Sequence, residues 1–238
     1  MSNTVDWTNN ELNSPLFFAP PKDLTTLLER LDLIVGRSLQ ELATLAKVHI
    51  PENNLSGKGF CGQLLEIFLG ANAHNLSQPD FLNLQIELKT LPVNLDLSPQ
   101  ESTFICSADI NPERYIPFEH SALYHKIKNI LFVLLLAPKG LPIKDRRIIG
   151  YFFYQPDQNE LNQIATDYNE FCELIFSSNA RSINGSLGNI IQMRPKAAHS
   201  NVFTPIRDSQ GQTTYAGPKG YYLRASYTKK LIAHAITS

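Results

Sequence analysis

Asp80, Glu87 and Lys89 fall within ten residues of one another, and no other stretch of the chain gathers groups so suited to hydrolysing a phosphate ester. Two carboxylates brought together bind a hard divalent cation, because Mg²⁺ wants oxygen ligands and keeps part of its water shell. An ammonium two residues beyond the second carboxylate stands beside that ion. There it can orient an attacking water or offset charge growing on a phosphate. The segment from Gln78 to Val93 has to place these groups. Pro79 interrupts regular structure, Asp80 sits on the lead-in, and from Leu84 to Lys89 apolar and polar residues alternate. A period of two predicts a strand with Leu84, Ile86 and Leu88 on one face and Gln85, Glu87 and Lys89 on the other.

This is the Pro-Asp…Asp/Glu-x-Lys pattern of a large nuclease superfamily that includes many restriction enzymes. Alone it is common by chance, and a solvated strand face carrying a Glu and a Lys explains it as well. Two neighbouring features shift the balance. The predicted helix from Phe60 to Leu69 is apolar apart from Gln63 and Glu66 and ends at Gly70. A carboxylate on such a helix needs a cation, a metal or a proton, so Glu66 is read as support for the same metal site rather than as a wet-edge Glu. Near the C-terminus, Arg194, Lys196, Lys219 and Arg224 interleave with Tyr221 and Tyr222 on predicted strands and loops. That set suits phosphate contacts and groove reading, with one of the two tyrosines expected in the core.

Charge is unevenly spread along the 238 residues. Residues 1–120 carry 7 Lys/Arg against 15 Asp/Glu, a net −8; residues 121–180 are balanced; residues 181–238 carry 8 against 1, a net +7. A basic C-terminal quarter fits a polyanion, or a basic lobe docked on an acidic one. Three well-separated cysteines (Cys61, Cys106, Cys172) point to reduced thiols in a cytoplasmic protein, with no zinc-like spacing. The polar start of the chain is no signal peptide. The longest apolar run, Ile130 to Ala137, is too short to span a bilayer and reads as a buried strand.

The elements that must position the candidate groups are legible from caps and periods. Asp23 opens an amphipathic helix to Val35, closed by Gly36, and Ser38 with Glu41 forms a capping box for a second helix to about Lys47. Further strands are expected over 102–108, 130–137 and 148–154, and a helix over His120–Asn129 carrying Lys126 and Lys128. Asp157 and Glu160 cap a long helix to about Phe176, whose buried stripe holds Leu161, Ile164, Tyr168, Phe171, Cys172 and Ile175. Short strands and loops follow, then a helix from Ser226 to about Ala235. Helices interleaved with a mixed sheet make the class α/β or α+β.

From Lys58 to Ala71, then at Asp80-Phe81, Glu87-Leu88-Lys89-Thr90-Leu91-Pro92-Val93, His125-Lys126-Ile127-Lys128, Ile191 to Ala198 and Gly220-Tyr221-Tyr222-Leu223, the chain resembles the MutH family of methyl-directed mismatch-repair endonucleases. The resemblance runs in order and spacing from roughly residue 25 to the end. It implies a restriction-endonuclease-like fold, a mixed β-sheet flanked by helices with two lobes around a DNA-binding cleft. The expected division is a flexible arm over 1–22 and one nuclease domain over 23–238. Within it, the catalytic lobe covers roughly 23–140 and the DNA-reading lobe roughly 141–238. The implied enzyme uses one or two Mg²⁺ ions to nick the unmethylated strand at hemimethylated GATC sites in double-stranded DNA, with a MutL-like activator. The family's catalytic positions fall on Glu66, Asp80, Glu87, Lys89 and Lys126, and its metal ligands on Asp80, Glu87, the Leu88 carbonyl and Glu66. Its DNA-binding positions fall on Lys58, Arg194, Pro195, Lys196 and Tyr222. The nearest alternative is a GATC-cutting type II restriction endonuclease. Cutting both strands of a palindrome calls for two active sites, whereas one catalytic set without an internal repeat fits a monomer that nicks one strand.

Overall fold

The computed structural model describes residues 19–51, 59–71, 78–196, 203–207 and 210–237. Lys58 and residues 1–18 of the expected arm lie outside the described residues. Three helices come first: α1 (Leu24–Ile34), α2 (Leu39–Ala46) and α3 (Phe60–Leu69). Their ends obey local chemistry. Asp23 accepts the Thr26 N–H, Ser38 and Glu41 cap each other reciprocally, and Gly70 closes α3 in the left-handed region that glycine tolerates. Then come β1 (Glu87–Val93), β2 (Thr103–Ala108), α4 (Ala122–Ile127), β3 (Ile130–Leu136), β4 (Arg147–Tyr154) and α5 (Gln158–Phe176). The chain ends with β5 (Ile191–Pro195), β6 (Thr204–Arg207), β7 (Thr213–Ala216), β8 (Lys219–Leu223) and α6 (Ala225–Thr237). The expected helix over 120–129 is shorter than its pattern, because Pro117 starts a separate 3₁₀ turn at Phe118–His120 and Ser121 caps α4 afresh.

Sheet one has the order β1-β3-β4, with β1 parallel and β4 antiparallel to β3. The apolar run is its centre, and both of its faces are covered, as a continuous hydrophobic strand requires. Ile130, Phe132 and Leu134 face a core shared with α4, α5, β5 and β8, while Leu131, Val133 and Leu135 face a second core built with α1, α2 and α3. Sheet two, order β2-β8-β5 and antiparallel throughout, closes the first of these cores. The sheets do not follow chain order: β2 pairs with β8, more than a hundred residues downstream, and β3 lies between β1 and β4 while β2 joins the other sheet.

One predicted strand begins late. Alternation from Leu84 suggests an extended start, but residues 82–85 form a turn, Gln85 has φ 55°, and β1 starts only at Glu87. Phe81 and Ile86 exchange backbone hydrogen bonds (2.9 and 3.3 Å), folding the chain back on itself. This return brings Asp80 alongside Leu88. Glu87 and Lys89 do lie on the face opposite Leu88, but that face is not solvated at Glu87: Glu87 shares it with Leu91 and Val93, which pack into the core under sheet two, and is only 1% exposed.

Cys61 and Cys106 are buried, and burial pushes each thiol up to about 12. At about pH 8 neither carries a reactive thiolate population. The folded protein should therefore leave both unmodified by a disulfide reagent such as DTNB, and unfolding should release them. Rapid native modification of either would contradict this packing.

Candidate active site and nucleic-acid interface

The register of sheet one builds the first cluster. Ile130 lies opposite Glu87, whose N–H donates to the Asn129 carbonyl at 2.9 Å. The helix that feeds β3 therefore ends over Glu87, and its last turn lowers Lys126 onto the carboxylate. Lys126 Nζ stands 3.1 Å from Glu87 Oε1 and 3.0 Å from Oε2, and both side chains are buried. Lys89 donates to Glu87 Oε1 from two residues along the strand. On the outer edge of β1, the Leu88 N–H donates to Asp80 Oδ2 at 2.8 Å. In a parallel ladder one residue's N–H and C=O point the same way, so the Leu88 carbonyl lies on that open edge beside Asp80.

Burial is the main reason the Glu87 carboxyl lies above its ordinary 4.5; Lys89 opposes the shift, Asp80 adds to it, and Lys126 opposes it. An anion is thus held in a dry seat by two ammonium groups, with a second carboxylate in electrostatic reach. The donors fit a hard divalent ion: two carboxylates and a carbonyl, all oxygen, are what Mg²⁺ takes while keeping waters and accepting phosphate. Glu66 does not join them as a third carboxylate. Among the described residues, no three His, Cys, Asp or Glu side chains stand at metal-binding spacing, and Glu66 is half-buried on α3, which packs against β1.

Sheet two carries the second set. In its register Tyr222 lies opposite both Phe104 and Gln192, and Gly220 opposite Arg194, so these residues share one face. The other face turns Tyr221, Met193 and Leu223 into the core, and Tyr221 is the tyrosine that packs there. On the outer face the Arg194 guanidinium sits 5.6 Å from the Tyr222 ring centre, and Lys196 Nζ sits 5.0 Å from that of Phe104. Phe104 meets Tyr222 edge-on at 5.3 Å. Arg194 also donates to Ser102 Oγ (2.7 Å) and Lys196 to Ser107 Oγ (3.1 Å). Arg194, Pro195 and Lys196 are exposed at the end of β5.

Phe104 belongs to this array and was invisible in the sequence, where it is one aromatic in a predicted strand. Gly220 was its only signal: a Cβ there would stand 2.7 Å from the Phe104 ring, so glycine is what lets the ring approach β8 this closely.

Two residues of the expected basic set do not belong to it. Lys219 faces inward, is buried, and donates to the Ile183 carbonyl at 2.7 Å; burial lowers its pKa. Arg224 spends its guanidinium on three backbone carbonyls. The alternation of β8 explains the first, and a turn rich in unpaired carbonyls the second. Part of the +7 charge of the C-terminal quarter is therefore internal.

The two sets meet at β2. The Cys106 thiol, raised chiefly by burial, is also within reach of Lys126, Lys89, Glu87 and Lys196. The carboxylate cluster and the cationic edge of sheet two thus flank the same strand.

Comparison with known proteins places this arrangement in a family. The family model described as DNA mismatch repair enzyme MutH matches residues 69–167. The DNA mismatch repair protein MutH of Shewanella sp. (strain W3-18-1) is 34% identical over 216 residues, covering 91% of this chain and 97% of that protein. The protein of the same name from Enterobacter sp. (strain 638) is 33% identical over 215 residues, covering 90% and 94%. Among the described residues no helix is long and apolar enough to cross a membrane.

Proposed function

The chain belongs to the MutH family of DNA mismatch-repair enzymes, and from that membership we propose that it is a Mg²⁺-dependent endonuclease acting as a monomer. It nicks the unmethylated strand of hemimethylated GATC sites in double-stranded DNA and is switched on by a MutL-like partner. The observation that carries the reading is Glu87, buried in a cationic seat with Asp80 beside it and the open edge of β1 in front.

Asp80, Glu87 and the Leu88 carbonyl would hold the ion, with Glu66 an outer support from α3. Mg²⁺, when bound, lowers the pKa of its water and offsets charge on the scissile phosphate. Lys126, held at both carboxylate oxygens, opposes with Lys89 the rise in the Glu87 pKa that burial causes. Lys89, less buried than Lys126 and on a flexible stem, turns from Glu87 to orient the water and meet charge on the phosphate. Arg194, Pro195, Lys196 and Tyr222 read the site, joined by Phe104, and Lys58 adds a phosphate contact.

The test is strand-specific cleavage of duplexes carrying one GATC site in unmethylated, hemimethylated or fully methylated form, plus a scrambled control, with and without MutL. Expected are nicks confined to the unmethylated strand, none in fully methylated DNA, none in EDTA, and full recovery when Mg²⁺ is added back. Double-strand cutting independent of MutL would assign a type II restriction endonuclease instead. Activity that persists in EDTA would remove the metal from the reading.

A further inference from the structure

Residues 183–191 lead from the 3₁₀ turn at Ala180–Ser182, which follows α5, into β5, and charged side chains hold their backbone from both polarities. Asp167, in the middle of α5 and 1% exposed, accepts the Asn189 N–H on Oδ1 at 2.9 Å. Its Oδ2 accepts the N–H groups of Ile190 and Ile191 at 2.7 and 3.0 Å, and Gln163 donates to Oδ1 at 2.9 Å. Arg224 takes the preceding carbonyls: Nε donates to Gly188 (2.8 Å) and Nη2 to Ser186 and Leu187 (2.7 Å each). Its own N–H donates to the Ile190 carbonyl at 3.0 Å. Three successive carbonyls meet a guanidinium, and the next three N–H groups meet a carboxylate.

Among the described residues Asp167 has no cationic partner and Arg224 no anionic one. Each charge is balanced by backbone dipoles, in charge-assisted bonds that are short and directional. Gly188 sits between the two halves at φ +78°, where a Cβ would stand 2.1 Å from the Ile191 carbonyl oxygen, so only glycine fits this turn. Taking charges out of water is expensive unless the hydrogen bonds are good, and here the return is a fixed strand start. That start is Ile191, three residues before Arg194 and five before Lys196. In a strand, a slip of one residue turns every side chain to the opposite face.

We propose that Asp167 and Arg224 are specificity-positioning residues, clamping the 186–191 turn so that β5 presents Arg194 and Lys196 to the base edges. Neither touches DNA in this role. The proposal rests on the reading of Arg194 and Lys196 given above, and its test separates the two.

Binding to a GATC duplex and to a scrambled duplex is measured over a salt series for Arg224→Lys, Arg224→Gln, Asp167→Asn, Arg194→Ala and Lys196→Ala. Arg224→Lys keeps the charge and loses the fork. It should lower the preference for GATC on the order of 10-fold, as losing a positioned base contact does, with scrambled-duplex affinity unchanged. Arg224→Gln should lower the preference similarly and leave the salt slope at its wild-type value. Asp167→Asn should lower the preference and speed amide exchange at Asn189, Ile190 and Ile191. In the wild-type protein these three amides should exchange as slowly as those of sheet two; fast exchange there overturns the clamp without any variant.

Wild-type preference in Arg224→Lys, with a salt slope reduced by about one in Arg224→Gln, would make Arg224 a phosphate contact and overturn the proposal. Equal loss on both duplexes would overturn it too, since it indicates general unfolding. If Arg194→Ala and Lys196→Ala keep the preference, the reading of β5 fails; if they lose it while the clamp variants keep it, only the clamp fails.

Discussion

Lys89→Ala is expected to lower single-turnover cleavage by about 10³-fold or more while DNA affinity stays within a few-fold of wild type, because preorganised charge at a developing anion is among the largest catalytic terms. Lys89 is the cationic side chain on the Glu87 side of β1 that is not held at both carboxylate oxygens. Lys126 bridges Oε1 and Oε2, whereas Lys89 touches Oε1 alone. A cation held by one contact can be redirected, so Lys89 is the one that can turn toward a water or a phosphate oxygen. Extra Mg²⁺ should not rescue this variant, since the missing group is not a ligand. Asp80→Ala should lose cleavage as severely but differently. It removes an oxygen donor and leaves the Leu88 N–H without its partner, so raised Mg²⁺ should recover part of the rate. Lys89→Arg should recover little, because a planar fork on a longer stem does not fit where a point charge worked. Substantial cleavage by either alanine variant under wild-type conditions would sink the assignment of these residues.

The parts of this fold that were readable beforehand are those decided within a few residues. Asp23, the Ser38–Glu41 pair and the Asp157–Glu160 pair each satisfy a helix end from inside its first turn, so spacing alone reveals them. The central strand was readable because burial on both faces leaves an uninterrupted apolar run. The start of β1 was not. Alternation over Leu84–Ile86 is too short to separate a strand from a turn, and the deciding event is a backbone bridge from Phe81 to Ile86. Which face of β1 carries Glu87 was legible; that the face is dry was not, because α4 and sheet two, which cover it, come from later segments with no local link. Lys219 and Arg224 looked like surface cations because a count of charges cannot see a carbonyl waiting for a donor. Asp167 did leave a signal that went unused. It lies three residues after Ile164 and four before Phe171, on the buried stripe of α5, and an acid in such a place asks for a partner.

Lys126→Ala should destabilise the metal-free protein by about 3 kcal/mol near neutral pH, since breaking a buried ion pair from one side strands the other charge. The figure sits at the low end for buried pairs because Lys89 still touches Glu87. The sign of its pH dependence is fixed by Glu87, whose folded pKa is already above 4.5 and loses one of its two opposing cations in this variant. A carboxyl whose pKa is higher folded than unfolded favours folding most when protonated. Its ionisation then takes stability away as pH rises from the unfolded value through the folded one. The deficit of Lys126→Ala should therefore be small at and below about pH 4.5, grow through the window above it, and level off once Glu87 is ionised in the folded state. Denaturant unfolding in EDTA at several pH values measures this directly. Adding Glu87→Gln to the variant should remove most of the pH dependence, because the stranded group can no longer ionise. A deficit that stays constant with pH would mean that the lysine's packing matters and its charge does not. In that case the Lys126 charge would not be what opposes the rise in the Glu87 pKa.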